Sequence, residues 1–167
     1  MLKALRRNAT ARGRAESLCA ALMERARAPV FFTRLRVADT MDGRFDLLAL
    51  HAWLVLDRLQ GEAALSQALI DTLFLHFDEA LRQMGTGDIG MNRRLKTLAG
   101  AFYGRLQAYR DAADAPALAD AIRRNVYRGA DDRVAEAQAL ATYALNARSH
   151  LASSPPGELD FGPMPTM

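Results

Sequence analysis

Apolar residues recur at steps of three or four along most of the chain, which is the period of one face of an α-helix. The longest regular series consists of Leu65, Leu69, Leu73, Phe77 and Leu81. Residues 46–59 are apolar on nearly every side, and a helix of that kind is buried over most of its surface. The pattern therefore predicts an all-α fold, a single-domain bundle of about six helices with residues 46–59 at its centre.

Two segments depart from the helical period. Thr33, Leu35 and Val37 alternate with two arginines over 33–37, which predicts one short extended segment near residues 30–38. Residues 153–167 contain four prolines and little periodicity, which predicts a flexible proline-rich tail. We therefore divide the chain into a basic N-terminal helical segment (1–28), a helical domain (29–152) and the tail (153–167).

The sequence GTGDIG at residues 85–90 matches the G-x-G-x-x-G pattern of dinucleotide-binding loops. In those proteins a strand leads into the loop, and the phosphates lie at the start of the next helix. Here the preceding residues have the helical period, and Asp88 would repel a phosphate. We therefore interpret the segment as a loop between two helices, in which Gly85 ends the first helix.

Gly100 and Gly104 lie four residues apart inside a predicted helix. Each glycine costs about 1 kcal/mol relative to alanine in a helix interior. We expect close packing against a neighbouring helix of the same domain to offset this cost. The alternative is a groove that receives a helix from a partner.

Length and charge distribution narrow the class of protein. The chain has 167 residues, one cysteine and a net charge of +3, so it can build one core but no internal disulfide. Its longest stretch without a charged residue is 11 residues, 137–147, whereas a membrane-spanning helix needs about 20 apolar residues. We therefore expect a cytoplasmic protein that is at most peripheral on the inner membrane.

No group of residues forms a recognisable catalytic or metal site. The histidines are His51, His76 and His150, and their spacing is not that of a metal site. We interpret His51 as a hydrogen-bonded core residue, because it lies in the most apolar helix. Cys19 has no assignable histidine partner. We therefore predict no enzymatic activity, no cofactor, no metal and no small-molecule substrate, with haem or metal handling through His51 or His76 as an alternative.

Basic residues are concentrated in two segments. Arg93, Arg94 and Lys96 open the predicted helix after the glycine loop, where the helix dipole disfavours cations. Such a run is either a solvated face or a contact surface for an acidic partner, RNA or anionic lipid. The second cluster, which is compatible with weak contact to an anionic membrane surface, consists of Lys3, Arg6, Arg7, Arg12 and Arg14.

Three motifs, in order along the chain, resemble one protein family. They are DGRFD at residues 42–46, MGTGD at 84–88 and AFYGR at 101–105. They occur in the longer stretches DTMDGRFDLLALHAWLVLDRL and MGTGDIGMNRRLKTLAGAFYGRLQAYRDA, and IRRNVYRG follows them. Over about residues 29–128 the chain is similar to the ubiquinol–cytochrome c chaperones, which are assembly factors of the respiratory cytochrome bc1 complex.

The resemblance implies an all-helical, non-enzymatic protein whose glycine loop joins two helices. It also implies binding of newly made cytochrome b or another bc1 subunit, together with a small partner protein near the ribosome exit. The chain lacks the long N-terminal extension expected of mitochondrial members, which favours a bacterial origin. The alternative is an RNA- or ribosome-binding module without a bc1-specific client.

We hypothesise that the partner-binding surface is built from two stretches, 42–45 and 84–105. Tyr103 is a better candidate for an apolar contact than Phe102, because Phe102 lies on the apolar face of its helix. The candidate binding residues are Asp42, Gly43, Arg44, Phe45, Gly85, Gly87, Asp88, Arg93, Arg94, Lys96, Tyr103 and Arg105.

Overall fold

The computed structural model describes residues 2–83, 85, 88–155 and 157–166, without the side chains of 2–9, 88 and 89. Within these residues all regular structure is helical, so the prediction of an all-α fold is confirmed. The helices are α1 (Leu2–Ala26), α2 (Pro29–Thr33), α3 (Met41–Arg58), α4 (Ala63–Gln83), α5 (Asp88–Asp111), α6 (Ala115–Val126) and α7 (Val134–Ser153), and a 3-10 turn at Asp131–Arg133 precedes α7. Over the described residues, no helix has the length and apolar character needed to cross a membrane.

The core forms around α3, as its apolar sequence predicts. This helix packs against α1, α5, α6 and α7, and α1 also packs along α4. Leu47, Leu50 and Leu54 are fully buried, and burial of a side chain of this size contributes about 1.5–3 kcal/mol. The helix is therefore firmly packed in the core, and at its N-terminal end Met41, Asp42 and Arg44 are exposed at the protein surface.

The segment near residues 30–38 alternates in burial as predicted, with Leu35 and Val37 buried and Arg36 exposed. Its backbone differs from a strand, because Pro29–Thr33 forms the short helix α2. The amides of Leu35 and Val37 donate to carbonyls of α2 at 3.2 and 3.0 Å, and Arg36 has a left-handed φ of 54°. The segment therefore folds back on α2 and does not pair with another strand.

Residues 157–166 lie against the helices, which differs from the flexible tail that their composition predicts. Phe161 is 5% exposed, and its ring meets the ring of His51 edge-on at 5.6 Å. The guanidinium of Arg25 donates to the carbonyls of Gly162 and Pro163, each at 2.9 Å. An aromatic anchor and two charge-assisted hydrogen bonds thus hold a segment whose lack of periodicity gives no sign of a contact.

Gly100 and Gly104 lie on an exposed face of α5. No described atom outside the helix's own backbone lies within 4 Å of the Cβ position at either glycine. The close packing expected at these two positions is therefore not found among the described residues. Their surface remains open to solvent in the isolated chain.

Candidate functional site

An open groove runs along α5 and is bounded by the first turns of α3, the end of α4 and the end of α6. Its volume is about 720 Å³. Its floor is apolar and includes Phe45, Leu81, Leu98 and Ala101. Its charged lining consists of Asp42, Arg93, Arg94, Arg105, Arg124 and Arg128. Five arginines against one aspartate make the groove cationic.

A buried ion pair fixes one end of the groove. Asp46 on α3 is fully buried, and its Oδ1 lies 2.7 Å from Nε and 2.6 Å from Nη2 of Arg105. The remaining guanidinium nitrogen, Nη1, donates to the carbonyl of Ala101 at 3.0 Å. The same guanidinium lies over the Phe45 ring, 5.0 Å from its centroid, which is a cation–π contact. Arg105 therefore joins α5 to α3, and each of its guanidinium nitrogens has a contact within the protein.

A second arginine reaches the same carboxylate from beyond α6. Arg128 Nη1 lies 2.7 Å from Asp46 Oδ2, and its Nη2 lies 3.9 Å from Asp42. Arg128 has a left-handed φ of 55°, and the following Gly129 has a φ of 77°. A non-glycine residue in this region is strained by about 1–3 kcal/mol. The ion pairs help to hold Arg128 in this conformation, where about half of its side chain remains exposed.

The ionisation of Asp46 reflects two opposing effects. Burial raises the pKa of the Asp46 carboxyl, and the charges of Arg105 and Arg128 oppose that rise. A buried carboxylate without a partner is costly. The contacts with two guanidiniums make its burial tolerable, and they place two positive charges side by side at this end of the groove.

Two other groove arginines, Arg93 and Arg124, are more available to a partner. Arg93 makes no ion pair with any described residue, and it is exposed on α5. Arg124 pairs with Asp120, one turn earlier on α6, yet 59% of its side chain is exposed. These side chains can bind a carboxylate without breaking a buried contact.

Tyr103 lies outside the groove, although it is exposed as predicted. It is 49% exposed, and its ring stacks on that of Phe74 at 6.3 Å. Phe102 is fully buried, which confirms its assignment to the core. Ring contacts from Phe74 to Phe77 at 5.4 Å, and from Phe77 to Phe45 at 5.5 Å, connect the surface at Tyr103 with the groove floor.

Gly43 and Arg44 have local roles at the start of α3. The amide of Gly43 donates to the Oγ1 of Thr40, which caps the helix, at 3.2 Å. A Cβ at Gly43 would overlap the carbonyl oxygen of Ala38. The side chain of Arg44 pairs with Asp39 at 2.7 Å and does not line the groove. Because Gly43 has no Cβ, α3 can begin close to the backbone of the preceding segment.

The glycine-loop candidates are only partly described. Gly85 follows the end of α4 with a positive φ of 76°, and its amide donates to the carbonyl of Arg82 at 3.0 Å. These features agree with its prediction as a helix-ending residue. Gly87 and the side chain of Asp88 lie outside the described residues. Lys96 is exposed on α5 but does not line the groove.

His51 and Cys19 support the core. The Nδ1 of His51 donates to the carbonyl of Leu47 at 2.7 Å, and its Nε2 accepts from the Tyr143 hydroxyl at 2.8 Å. Burial lowers the pKa of His51 to about 4, so the prediction of a hydrogen-bonded core histidine is confirmed. Burial also raises the pKa of the Cys19 thiol to about 11, which opposes a nucleophilic role. Among the described residues, no group of three metal-ligating side chains could hold an ion.

Two charged residues of the groove, Arg124 and Arg128, and Asp46, which pairs with Arg105 and Arg128, are absent from the sequence-based candidates. Asp46 belongs to the DGRFD motif, but it stands at the edge of an apolar helix, where a charge is normally exposed. Arg124 and Arg128 belong to IRRNVYRG, and a helix continued over both would place them on one face, although α6 ends at Val126, before Arg128. That spacing is the signal that could have placed them together.

Comparisons with known proteins agree with this architecture. Residues 33–162 match the family described as ubiquinol-cytochrome C chaperone. The chain is similar to the crystal structure of the Cbp3 homolog from Brucella abortus, with 36% sequence identity and a TM-score of 0.79. The similarity covers 93% of this chain and 90% of that chain. No curated protein matches the chain. The chain belongs to the ubiquinol–cytochrome c chaperone family, as its motifs predict.

Proposed function

We propose that this chain is a non-enzymatic assembly chaperone of the cytochrome bc1 complex and that its client is newly made cytochrome b. Membership of the chaperone family, over residues 33–162, is the observation that carries the proposal. The groove supports it, because a cationic rim around an apolar floor suits a protein segment that is not yet in its final place.

The groove can hold such a segment reversibly. Its apolar floor covers apolar side chains of the segment that would otherwise face water, and this burial is the larger favourable contribution to binding. Its arginines add charge-assisted hydrogen bonds to carboxylates at the rim. Exposed ion pairs contribute only about 0–1 kcal/mol each, so the segment can leave when the client reaches its final environment.

We expect the protein to act on the cytoplasmic side of the inner membrane of a bacterial cell, where it is at most peripherally attached. Arg12 is exposed on α1, and each basic residue near an anionic membrane contributes about 1 kcal/mol. A small partner protein and the ribosome exit region are the further contacts that we propose. Both would place the chaperone beside its client during synthesis.

Deletion of the gene tests the proposal in cells of the source organism. We expect less assembled bc1 complex and less haem in cytochrome b, whereas the other respiratory complexes remain at their normal levels. A plasmid copy of the gene should restore the bc1 complex. Unchanged bc1 levels and unchanged haem content in the deletion strain would contradict the proposal.

Two alternative functions have less support from the geometry. RNA-binding surfaces use exposed aromatic rings on which bases stack, and the Arg105 guanidinium lies over the ring of Phe45 on the groove floor. Haem ligation by His51 through Nε2 would require the loss of its buried hydrogen bond with the Tyr143 hydroxyl. RNA copurification and the absorption spectrum of the purified chain test these alternatives.

A further inference from the structure

The positive charges of the groove fall into two groups. Arg93 and Arg94 stand at the start of α5. Arg124 and Arg128 stand at the other end, where Arg128 shares the Asp46 carboxylate with Arg105. From the helical rise, Arg94 and Arg105 are separated by about 16 Å along α5.

Apolar side chains occupy the space between the two groups. Leu98 and Ala101 lie on α5 between the arginines, and Phe45 and Leu81 line the groove from α3 and α4. Positive charge, apolar surface and positive charge therefore follow one another along the groove. A complementary ligand has negative charge at both ends and an apolar middle.

The arginines differ in their capacity to bind a ligand. Each guanidinium nitrogen of Arg105 contacts either Asp46 or the carbonyl of Ala101. The side chains of Arg124 and Arg128 keep 59% and 51% of their surface exposed. Arg93 makes no ion pair with a described residue. Each end of the groove thus offers guanidinium donors to an incoming carboxylate.

We infer that the groove binds an amphipathic helix of another protein, with carboxylates at both ends of the contact and apolar side chains between them. This inference rests on the proposed function and specifies the chemistry of the client segment. In a helix, residues about 11 positions apart lie on the same face and are separated by about 16 Å. That distance matches the separation of Arg94 from Arg105 along α5, and Arg128 lies beside Arg105 at the Asp46 carboxylate, so charge at both ends fixes the position of the helix.

Other ligands of the same charge fit the groove less well. An RNA strand gains its affinity partly by stacking bases on aromatic rings, and Arg105 covers the ring of Phe45. A bilayer presents a flat surface, whereas the groove floor lies between α3, α4 and α5. A protein segment reaches both the floor and the rim.

Fluorescence anisotropy with the purified full chain tests the inference. The probe is a labelled helical peptide of about 18 residues, with leucines on one face and two glutamates about 11 positions apart on that face. A matched peptide carries glutamine at the two glutamate positions. We expect the glutamate peptide to bind about tenfold more tightly, because the arginines pair with charged acceptors more strongly than with neutral ones.

A charge-reversal variant assigns the binding to the groove. Arg93→Glu/Arg124→Glu reverses one charge at each end, and we expect about tenfold weaker binding of the glutamate peptide. The control Arg27→Glu/Arg34→Glu reverses two exposed charges that do not line the groove, and its affinity should stay within about twofold of the original. Unfolding midpoints verify that both variants fold. Equal weakening in both variants, or equal binding of the two peptides, overturns the inference.

Two further probes, poly(U) RNA and vesicles of phosphatidylcholine with phosphatidylglycerol, test whether the groove binds RNA or a membrane surface. Loss of RNA or vesicle binding in the groove variant, without any binding of the glutamate peptide, overturns the inference in favour of that ligand. The peptide assay needs no bc1 complex, so a lack of peptide binding does not change what the gene deletion says about the proposed function. Conversely, tight peptide binding with normal bc1 levels in the deletion strain contradicts the proposed function but not the chemistry of the groove.

Discussion

Arg105 holds the carboxylate of Asp46 across 59 residues of sequence, with two of its nitrogens 2.7 and 2.6 Å from Oδ1. The Asp46 side chain is fully buried, and that of Arg105 is 16% exposed. Asp46 lies near the start of α3 and Arg105 lies in the second half of α5, so the pair sets the distance between two walls of the groove. Because Arg128 contacts the same carboxylate, the charge at this end of the groove also depends on Asp46.

Asp46→Ala should strongly destabilise the fold. The change leaves Arg105 buried without its carboxylate, and removing one partner of a buried ion pair costs about 3–5 kcal/mol. We expect a loss of about 3 kcal/mol in the free energy of unfolding, the lower end of that range, because Arg128 is half exposed and can be solvated. Urea unfolding followed by circular dichroism measures the loss.

Two further variants separate the ion pair from a general effect of removing a carboxylate. Asp71→Ala, at an exposed position of α4, should change the free energy of unfolding by less than about 0.5 kcal/mol. The double variant Asp46→Ala/Arg105→Met should lose less stability than the sum of the two single variants, because each single variant leaves a charge unpaired. Additive losses would contradict a direct interaction.

Gly43→Ala and Gly100→Ala should change stability in opposite directions. A Cβ at Gly43 overlaps the carbonyl oxygen of Ala38, a backbone atom that cannot rotate away, so we expect a loss of about 1–3 kcal/mol. At Gly100 no described atom outside the helix's own backbone lies within 4 Å of the Cβ position. Alanine is about 1 kcal/mol better than glycine in a helix interior, so Gly100→Ala should stabilise the isolated chain. A loss at Gly100 in urea unfolding would show that this face is covered.

The fold should become less stable in acid because of His51. Burial lowers its pKa from 6.5 to about 4 in the folded chain. Between these two values the unfolded chain binds a proton that the folded chain does not bind, so the free energy of unfolding decreases as the pH decreases. The total loss from this group is about 3 kcal/mol, and it is complete below both pKa values.

Urea unfolding at several pH values between 6.5 and 4 tests this dependence. In His51→Gln the slope of stability against pH should be smaller than in the original chain, whatever the absolute stability of the variant. His76→Gln alters an exposed histidine and should keep the original slope. An unchanged slope in His51→Gln would assign the acid sensitivity to other groups.

Arg25→Met should release the C-terminal segment from the helices. The Nε of Arg25 donates to the Tyr143 hydroxyl at 2.9 Å, and its Nη2 donates to the two carbonyls that follow Phe161. Loss of these bonds should expose Phe161, so chymotrypsin should cleave after this residue several times faster. Mass spectrometry of the digestion products follows the cleavage. Arg27→Met alters a nearby exposed arginine and should leave the cleavage rate unchanged, whereas equal acceleration in both variants would contradict the anchoring role of Arg25.

Much of the fold follows from the spacing of apolar residues, because each helix buries one face against its neighbours. Phe102 and Tyr103 illustrate this, since the residue on the apolar face is buried and its neighbour is exposed. The alternation near Leu35 and Val37 also predicts their burial correctly, although no strand forms there. Spacing thus predicts which side chains are buried better than it predicts the backbone of a short irregular segment.

The charged end of the groove could not be predicted in the same way. Asp46 stands at the edge of an apolar helix, and a local pattern does not distinguish a buried carboxylate there from an exposed one. Its burial depends on Arg105 and Arg128, which are distant in sequence. The docking of Phe161 could not be predicted for the same reason, because Arg25, which contacts the Phe161 segment, lies in α1 and is distant in sequence.

Site-specific photo-crosslinking in growing cells tests the central claim most directly. A photoreactive amino acid replaces either Thr97, which lines the groove, or Gln138, which is exposed on α7. The proposed function predicts that newly synthesised, radiolabelled cytochrome b is captured from position 97 and not from position 138. Capture of no cytochrome b from position 97, in cells that assemble the bc1 complex normally, would contradict the proposed function.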